Sequence, residues 1–112
     1  MHYLKQQQIE KRTIAESPKA LNNIAVGHFQ RGELTQALAA FRQAFTVMPK
    51  NPAIALNLLQ TTAAEIRDNS ARNTAENKKL MLKCMETLET ATLTDEQQNR
   101  YLRVKAAVRD LD

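Results

Sequence analysis

PKALNNIAVGHFQRGELTQALAAFRQAFTVMP, residues 18–49, sets small, large and turn-forming residues at the intervals that two antiparallel helices need. In its first half Leu21, Ile24, Ala25 and His28 recur at steps of three and four, which places them on one face of a helix. In its second half Leu34, Ala37, Leu38, Phe41, Ala44, Phe45 and Met48 do the same. Between the halves stands Gly32, whose missing Cβ allows a tight reversal, and Pro49 ends the second half because it cannot continue a helix. Ala37 and Ala44 share one stripe, so they let the helices approach closely while Phe41 fills the gap beside them. The stretch reads as a helical hairpin with alanines in its seam.

These residues resemble a tetratricopeptide repeat, whose pattern is Trp-x2-Leu-Gly-x2-Tyr, then Ala-x3-Phe, then Pro. Leu21, Ile24, Ala25 and His28 stand in the Trp, Leu, Gly and Tyr slots, while Gly32, Ala37, Phe41, Ala44 and Pro49 match what the family has there. A shift by the family's repeat length of about 34 residues brings Pro18 onto Pro52, Ala20 onto Ile54, Asn23 onto Asn57 and Ile24 onto Leu58. Ser17-Pro18 and Asn51-Pro52 each offer a capping oxygen followed by the residue favoured in a helix's first turn. After Thr62 the register is lost, with Ile66 where Gly32 was and Ala75 where Phe41 was. The resemblance implies an all-α fold, antiparallel helix hairpins stacked as a short right-handed superhelix of about six helices. Its parts would be a lead-in helix over 1–16, a clear repeat over 17–50, a degenerate repeat over 51–93 and a capping helix over 94–112, all in one domain.

Bulk properties agree with a small helical domain. A chain of 112 residues can bury a modest core, and two glycines and three prolines beside many Ala, Leu, Gln, Glu and Lys favour helix almost throughout. No run alternates strictly between apolar and polar residues, so no strand is expected. The opening MHYLKQQQIEKRT has no apolar run, and no window approaches the length that spans a bilayer, so no membrane association is expected. The single Cys84 excludes an internal disulfide and fits a reducing, cytoplasmic setting. Sixteen basic and twelve acidic residues are interleaved, so the net charge of +4 is a mild excess and not a basic tract.

Outward from the hairpin, Leu4, Ile9 and Ile14 give residues 3–16 a thin apolar edge, which predicts a helix. It would be either the second helix of a preceding repeat or a connector from an upstream domain. Ile54, Leu58, Thr62 and Ile66 form a stripe on a helix that starts at Pro52 and is long for a repeat's first half, and 68–73 (DNSARN) reads as a flexible loop. Leu80, Met81, Cys84, Leu88 and Ala91 line one side of a helix over 74–92, where Met81 and Met85 suggest an adaptable, gap-filling surface. Thr94 and Gln97 make a capping-box pattern, and Tyr101, Val104, Val108 and Leu111 follow at helical spacing. That last helix, charged on its other side, is expected to close the array over its predecessor.

Catalysis finds thin material. His2 lies beside the terminus, His28 occupies a packing slot, and Cys84 sits on an apolar stripe as a small buried hydrophobe. Two histidines and one cysteine without ligand spacing make no metal site, and no Gly-rich phosphate loop occurs. No enzyme activity and no cofactor are expected.

Binding remains. Resemblance to the family implies a concave face made of each hairpin's first helix, here Lys19, Asn22, Val26, Phe29 and Gln30 with Ala53, Leu56, Gln60 and Ala63. Apolar and amide-rich with one cation, the set suits an amphipathic helix or extended peptide, and Phe29 is either its anchor or part of the packing on the N-terminal helix. Family members that hold acidic chaperone tails use a clamp of Lys, Asn and Arg; Asn57 matches one position, but Asn22 and Val26 replace a Lys and an Asn, so that clamp is absent. Asn23 and Asn57 are expected to cap or bridge helices instead. The order of segments over residues 3–92 resembles the repeat region that follows a receiver domain in bacterial two-component response regulators, which implies an output carried by contact with a protein or peptide partner. A second copy of the chain, paired through the N-terminal or Met81–Met85 surface, is the alternative. Nucleic acid is the least favoured partner, because Tyr101 is the only aromatic among Arg100, Arg103, Lys105 and Arg109.

Overall fold

A computed structural model describes residues 17–111, and among them every regular element is helical. Helices α1 (Pro18–Gln30) and α2 (Leu34–Val47) form one hairpin, α3 (Pro52–Asp68) and α4 (Ala75–Thr90) a second, and α5 (Asp95–Arg109) follows. The expected helix over 1–16 lies outside the described residues. The all-α class and the five remaining helices are as read from the sequence.

Local chemistry sets the helix ends. Ser17 Oγ accepts from the Ala20 amide and Asn51 Oδ1 from the Ile54 amide, each at 3.1 Å, and a proline follows each cap. Thr74 caps α4, and the reciprocal box at α5 is complete: the Thr94 amide donates to Gln97 Oε1 at 3.0 Å and the Gln97 amide to Thr94 Oγ1 at 3.1 Å. Gly32 takes φ +78°, the left-handed conformation, and lets two bonds close the end of α1. The Glu33 amide donates to the His28 carbonyl at 2.9 Å and the Gly32 amide to that of Phe29 at 3.0 Å. The reversal between α1 and α2 therefore follows from one residue type at one place.

Packing follows the small-against-large logic. Ala25, Ala37 and Ala44 have no exposed surface, and Phe41 is buried beside them. Replacing Ala37 by leucine is expected to force about 1–3 kcal/mol of overpacking into this seam, seen as a lower urea midpoint with an unchanged slope. Helix α3 is the hub, packed against α2, α4 and α5 and touching α1. Ile54, Ala55, Leu56, Leu58, Leu59, Ala63 and Ile66 are all buried, as a helix packed against several others requires. Its buried Thr61 and Thr62 hydroxyls donate back to the Asn57 and Leu58 carbonyls at 2.8 Å, so no polar group is stranded there.

Several sequence expectations are corrected. Ile24, placed on the packing face, is 43% exposed: α1 instead turns Leu21, Ala25, Val26 and Phe29 to the core, and no described helix covers its other side. Met48 is likewise exposed, because α2 ends at Val47. The expected flexible loop is a capped 3-10 turn (Ser70–Arg72), in which Asn69 Oδ1 accepts from the Ala71 amide and Asn77 Nδ2 donates to the Arg72 carbonyl at 2.8 Å. Met81 is in the core, so it offers no free surface for a second copy. Helix α5 packs mainly on α3 and not on its predecessor α4, to which side chains tie it: Tyr101 Oη donates to Glu89 Oε2 at 2.6 Å and Lys105 Nζ at 2.9 Å. Among the described residues no helix is long and apolar enough to cross a membrane.

Candidate partner-binding groove

The first helices of the two hairpins and α5 share one side of the molecule. There Val26, Phe29 and Gln30 of α1, Asn57, Gln60 and Thr61 of α3 and Arg100 of α5 line a cleft of about 450 Å³ with Phe41 at its base. From Phe29, Gln60 and Arg100 a further cleft of about 270 Å³ runs past Ala63, Ala64 and Arg67 to Arg103, Val104 and Ala107. The two are one groove, sharing three side chains.

A chain of polar side chains crosses its floor. Asn57 Nδ2 donates to Asn22 Oδ1 at 3.0 Å, and Arg100 donates from Nη2 to Asn57 Oδ1 at 2.6 Å and from Nε to Gln60 Oε1 at 3.0 Å. Three helices are thereby joined through amides, which take up donors of Arg100 without cancelling its charge. Burial lowers the Arg100 pKa, yet guanidinium stays protonated at any working pH, so a half-buried positive charge sits in the groove. Among the described residues no carboxylate lies within ion-pair distance of Arg100, Arg67 or Arg103. The groove is cationic with one aromatic wall.

The structure sorts the expected face residue by residue. Val26, Phe29, Gln30, Gln60 and Ala63 line the groove, although Ala63 is 6% exposed and contributes floor only. Asn22 is committed to Asn57, while Lys19 and Ala53 are exposed but outside both clefts. Leu56 is a correction: it has no exposed surface, because the side of α3 that a lone hairpin would leave open is covered here. Phe29 packs on the core and also lines the groove. Asn57 bridges helices as expected, but its partner on α1 is Asn22, and Asn23 is exposed. Arg67, Arg100 and Arg103 were missed as groove residues. The spacing of Arg100 and Arg103 on α5 is readable, but nothing in the periodicity of a single helix tells which way its charged side turns once docked.

His28 is a second correction. It does not fill the gap between helices; its Nδ1 lies 2.7 Å from Glu33 Oε1, with Arg31 Nε donating to the same oxygen at 3.2 Å. The hydrogen bond with His28, and secondarily Arg31, hold the Glu33 carboxyl below its ordinary range. The Tyr101 bond does the same to Glu89, aided by Lys105, while burial and Glu89 raise the Tyr101 pKa. These are staples at turn and helix crossings. Cys84 is fully buried, and desolvation pushes its thiol up to about 12, which leaves no thiolate for nucleophilic work near neutral pH. Among the described residues no three His, Cys, Asp or Glu side chains converge to hold a metal.

Compared with models of protein families the chain matches none, and neither the curated proteins nor the solved structures give a match.

Proposed function

We propose that the chain is a protein-interaction module of the tetratricopeptide type, which binds an extended, acidic segment of a partner in the α1/α3/α5 groove. One observation carries this reading: Arg100, half-buried and held by Asn57 and Gln60, faces the groove with Arg67 and Arg103, and no described carboxylate lies within ion-pair distance of them, Glu96 acting on Arg100 only from further off. A partner carboxylate would complete the charge-assisted bonds that these guanidinium groups lack. Phe29 adds an apolar wall, the kind of anchor on which peptide binding concentrates. The tetratricopeptide assignment draws on the alanine seam, the closure at Gly32 and the matching caps at Ser17 and Asn51. A nucleic-acid face is disfavoured because the α5 cations diverge: Arg100 and Arg103 enter the groove while Lys105 is turned to Glu89. On the further resemblance to response regulators, this contact would carry the output of a signalling protein.

Selection of displayed random peptides on the intact chain tests the reading. Recovered peptides are expected to be rich in Asp and Glu, and Phe29→Ala and Arg103→Ala are each expected to weaken them about tenfold or more. Recovery of the same peptides at equal affinity by both variants would remove the groove from the function.

A further inference from the structure

A second groove lies between α2 and α4 and shares no lining residue with the first. Phe45, Thr46, Pro49 and Lys50 form one wall and Leu80, Lys83, Glu86, Thr87, Thr90 and Ala91 the other, enclosing about 950 Å³. A narrower extension of about 280 Å³ continues past Phe45 and Leu80 to Arg42, Glu76 and Lys79. At the helical rise, the span along α4 from Glu76 to Ala91 is about 22 Å, or four turns. Its wall is fixed in place, since Thr87 Oγ1 donates to the Pro49 carbonyl at 2.6 Å and ties the chain leaving α2 to α4. Phe45 and Leu80 make an apolar floor.

The rim is electrostatically lopsided. Lys50, Lys79 and Lys83 are exposed, and among the described residues none of them has a carboxylate within ion-pair distance. Arg42 adds a further cation, bonded through Nη2 to Asn77 Oδ1 at 2.7 Å and so kept in position without neutralisation. Against these stand two carboxylates, Glu76 and Glu86. A groove about four helical turns long, with an apolar patch at Phe45 and Leu80 and cationic edges, is the complement of a helix with one apolar stripe and acidic flanks.

We infer that the α2/α4 groove is a second docking surface, which takes an acidic amphipathic helix of a partner protein. The helix lays its apolar stripe on Phe45 and Leu80 and sets its carboxylates against Lys50, Lys79 and Lys83. Because this surface is separate from the α1/α3/α5 groove, one chain can hold two segments at once, and joining them raises overall affinity without any new contact.

The test uses the intact chain and a synthetic peptide about four turns long, acetylated and amidated, with leucine at every third or fourth position and glutamate elsewhere. Binding is followed by fluorescence anisotropy and mapped by amide chemical shifts. Shifts are expected at Phe45, Leu80, Lys83 and Thr87, an affinity that falls as salt rises, and about tenfold weakening in the Lys79→Glu, Lys83→Glu double variant. Both lysines are exposed, so the variant keeps its fold, checked by its unchanged urea midpoint. A scrambled peptide of the same composition, which lacks the stripe, is expected to bind at least tenfold more weakly. No binding, equal binding of the scrambled peptide, or shifts confined to α1, α3 and α5 would overturn the proposal. So would sedimentation at twice the chain mass without peptide, with the same four residues protected, which would make a second copy the occupant.

Discussion

Truncating Leu56 to alanine is expected to cost about 2–5 kcal/mol, read as a large drop in the urea midpoint at constant slope. The side chain has no exposed surface and sits on the helix that four others touch. Neighbours held by contacts on several sides have little freedom to close the void, which puts the loss in the cavity-forming class and not merely in the transfer of the missing carbons. For a domain of ordinary stability that is a large part of the whole, which runs to about 5–15 kcal/mol. The measurement separates two readings of one residue. As a member of a concave binding face, Leu56 would tolerate alanine within about 0.5 kcal/mol, as exposed positions do. That outcome would remove α3 from the centre of the fold.

What the sequence conveyed, and what it did not, divides along a physical line. Helix ends were readable because capping is local: Ser17, Asn51 and the Thr94–Gln97 pair act within three residues of themselves. The reversal at Gly32 was readable for the same reason, since only a residue without Cβ takes φ +78° at little cost. Ala37, Phe41 and Ala44 were readable because small and large residues at helical spacing demand a close partner helix. Periodicity fails where burial depends on how many partners a helix acquires. Ile24 and Leu58 share a register position, yet one is 43% exposed and the other fully buried, because α3 packs against four other helices and α1 chiefly against α2 among the described residues. The groove was half legible. Val26, Phe29, Gln30 and Gln60 follow from repeat geometry, whereas Arg100 and Arg103 enter it only through the docking of α5 on α3, a contact some forty residues apart in sequence, as the Arg100 bonds to Asn57 and Gln60 show. The α2/α4 groove was not legible at all, because it is made of space left between helices and not of a pattern within one.

Phe41→Ala is expected to cost about 3–5 kcal/mol, and its partner in the seam supplies the more informative measurement. Phe41 is 2% exposed at the base of the α1/α3/α5 groove, while Phe45, one turn on, lines the groove on the α2/α4 side. At i and i+4 the two rings share one face of α2, and each lines a different groove. Removal of Phe41 opens a space continuous with the groove, so water can enter it, which favours the lower end of that range and faster amide exchange in α1. Ala37 lies one turn before Phe41 on the same face, and both are buried. A leucine at 37 overpacks the native seam but can lean into the space that Phe41→Ala vacates. The double variant is therefore expected to be more stable than the sum of its two single losses predicts, by at least about 1 kcal/mol in a double-mutant cycle. Strict additivity would mean that the two side chains do not share one gap, and the small-against-large account of the hairpin would fail at its central contact.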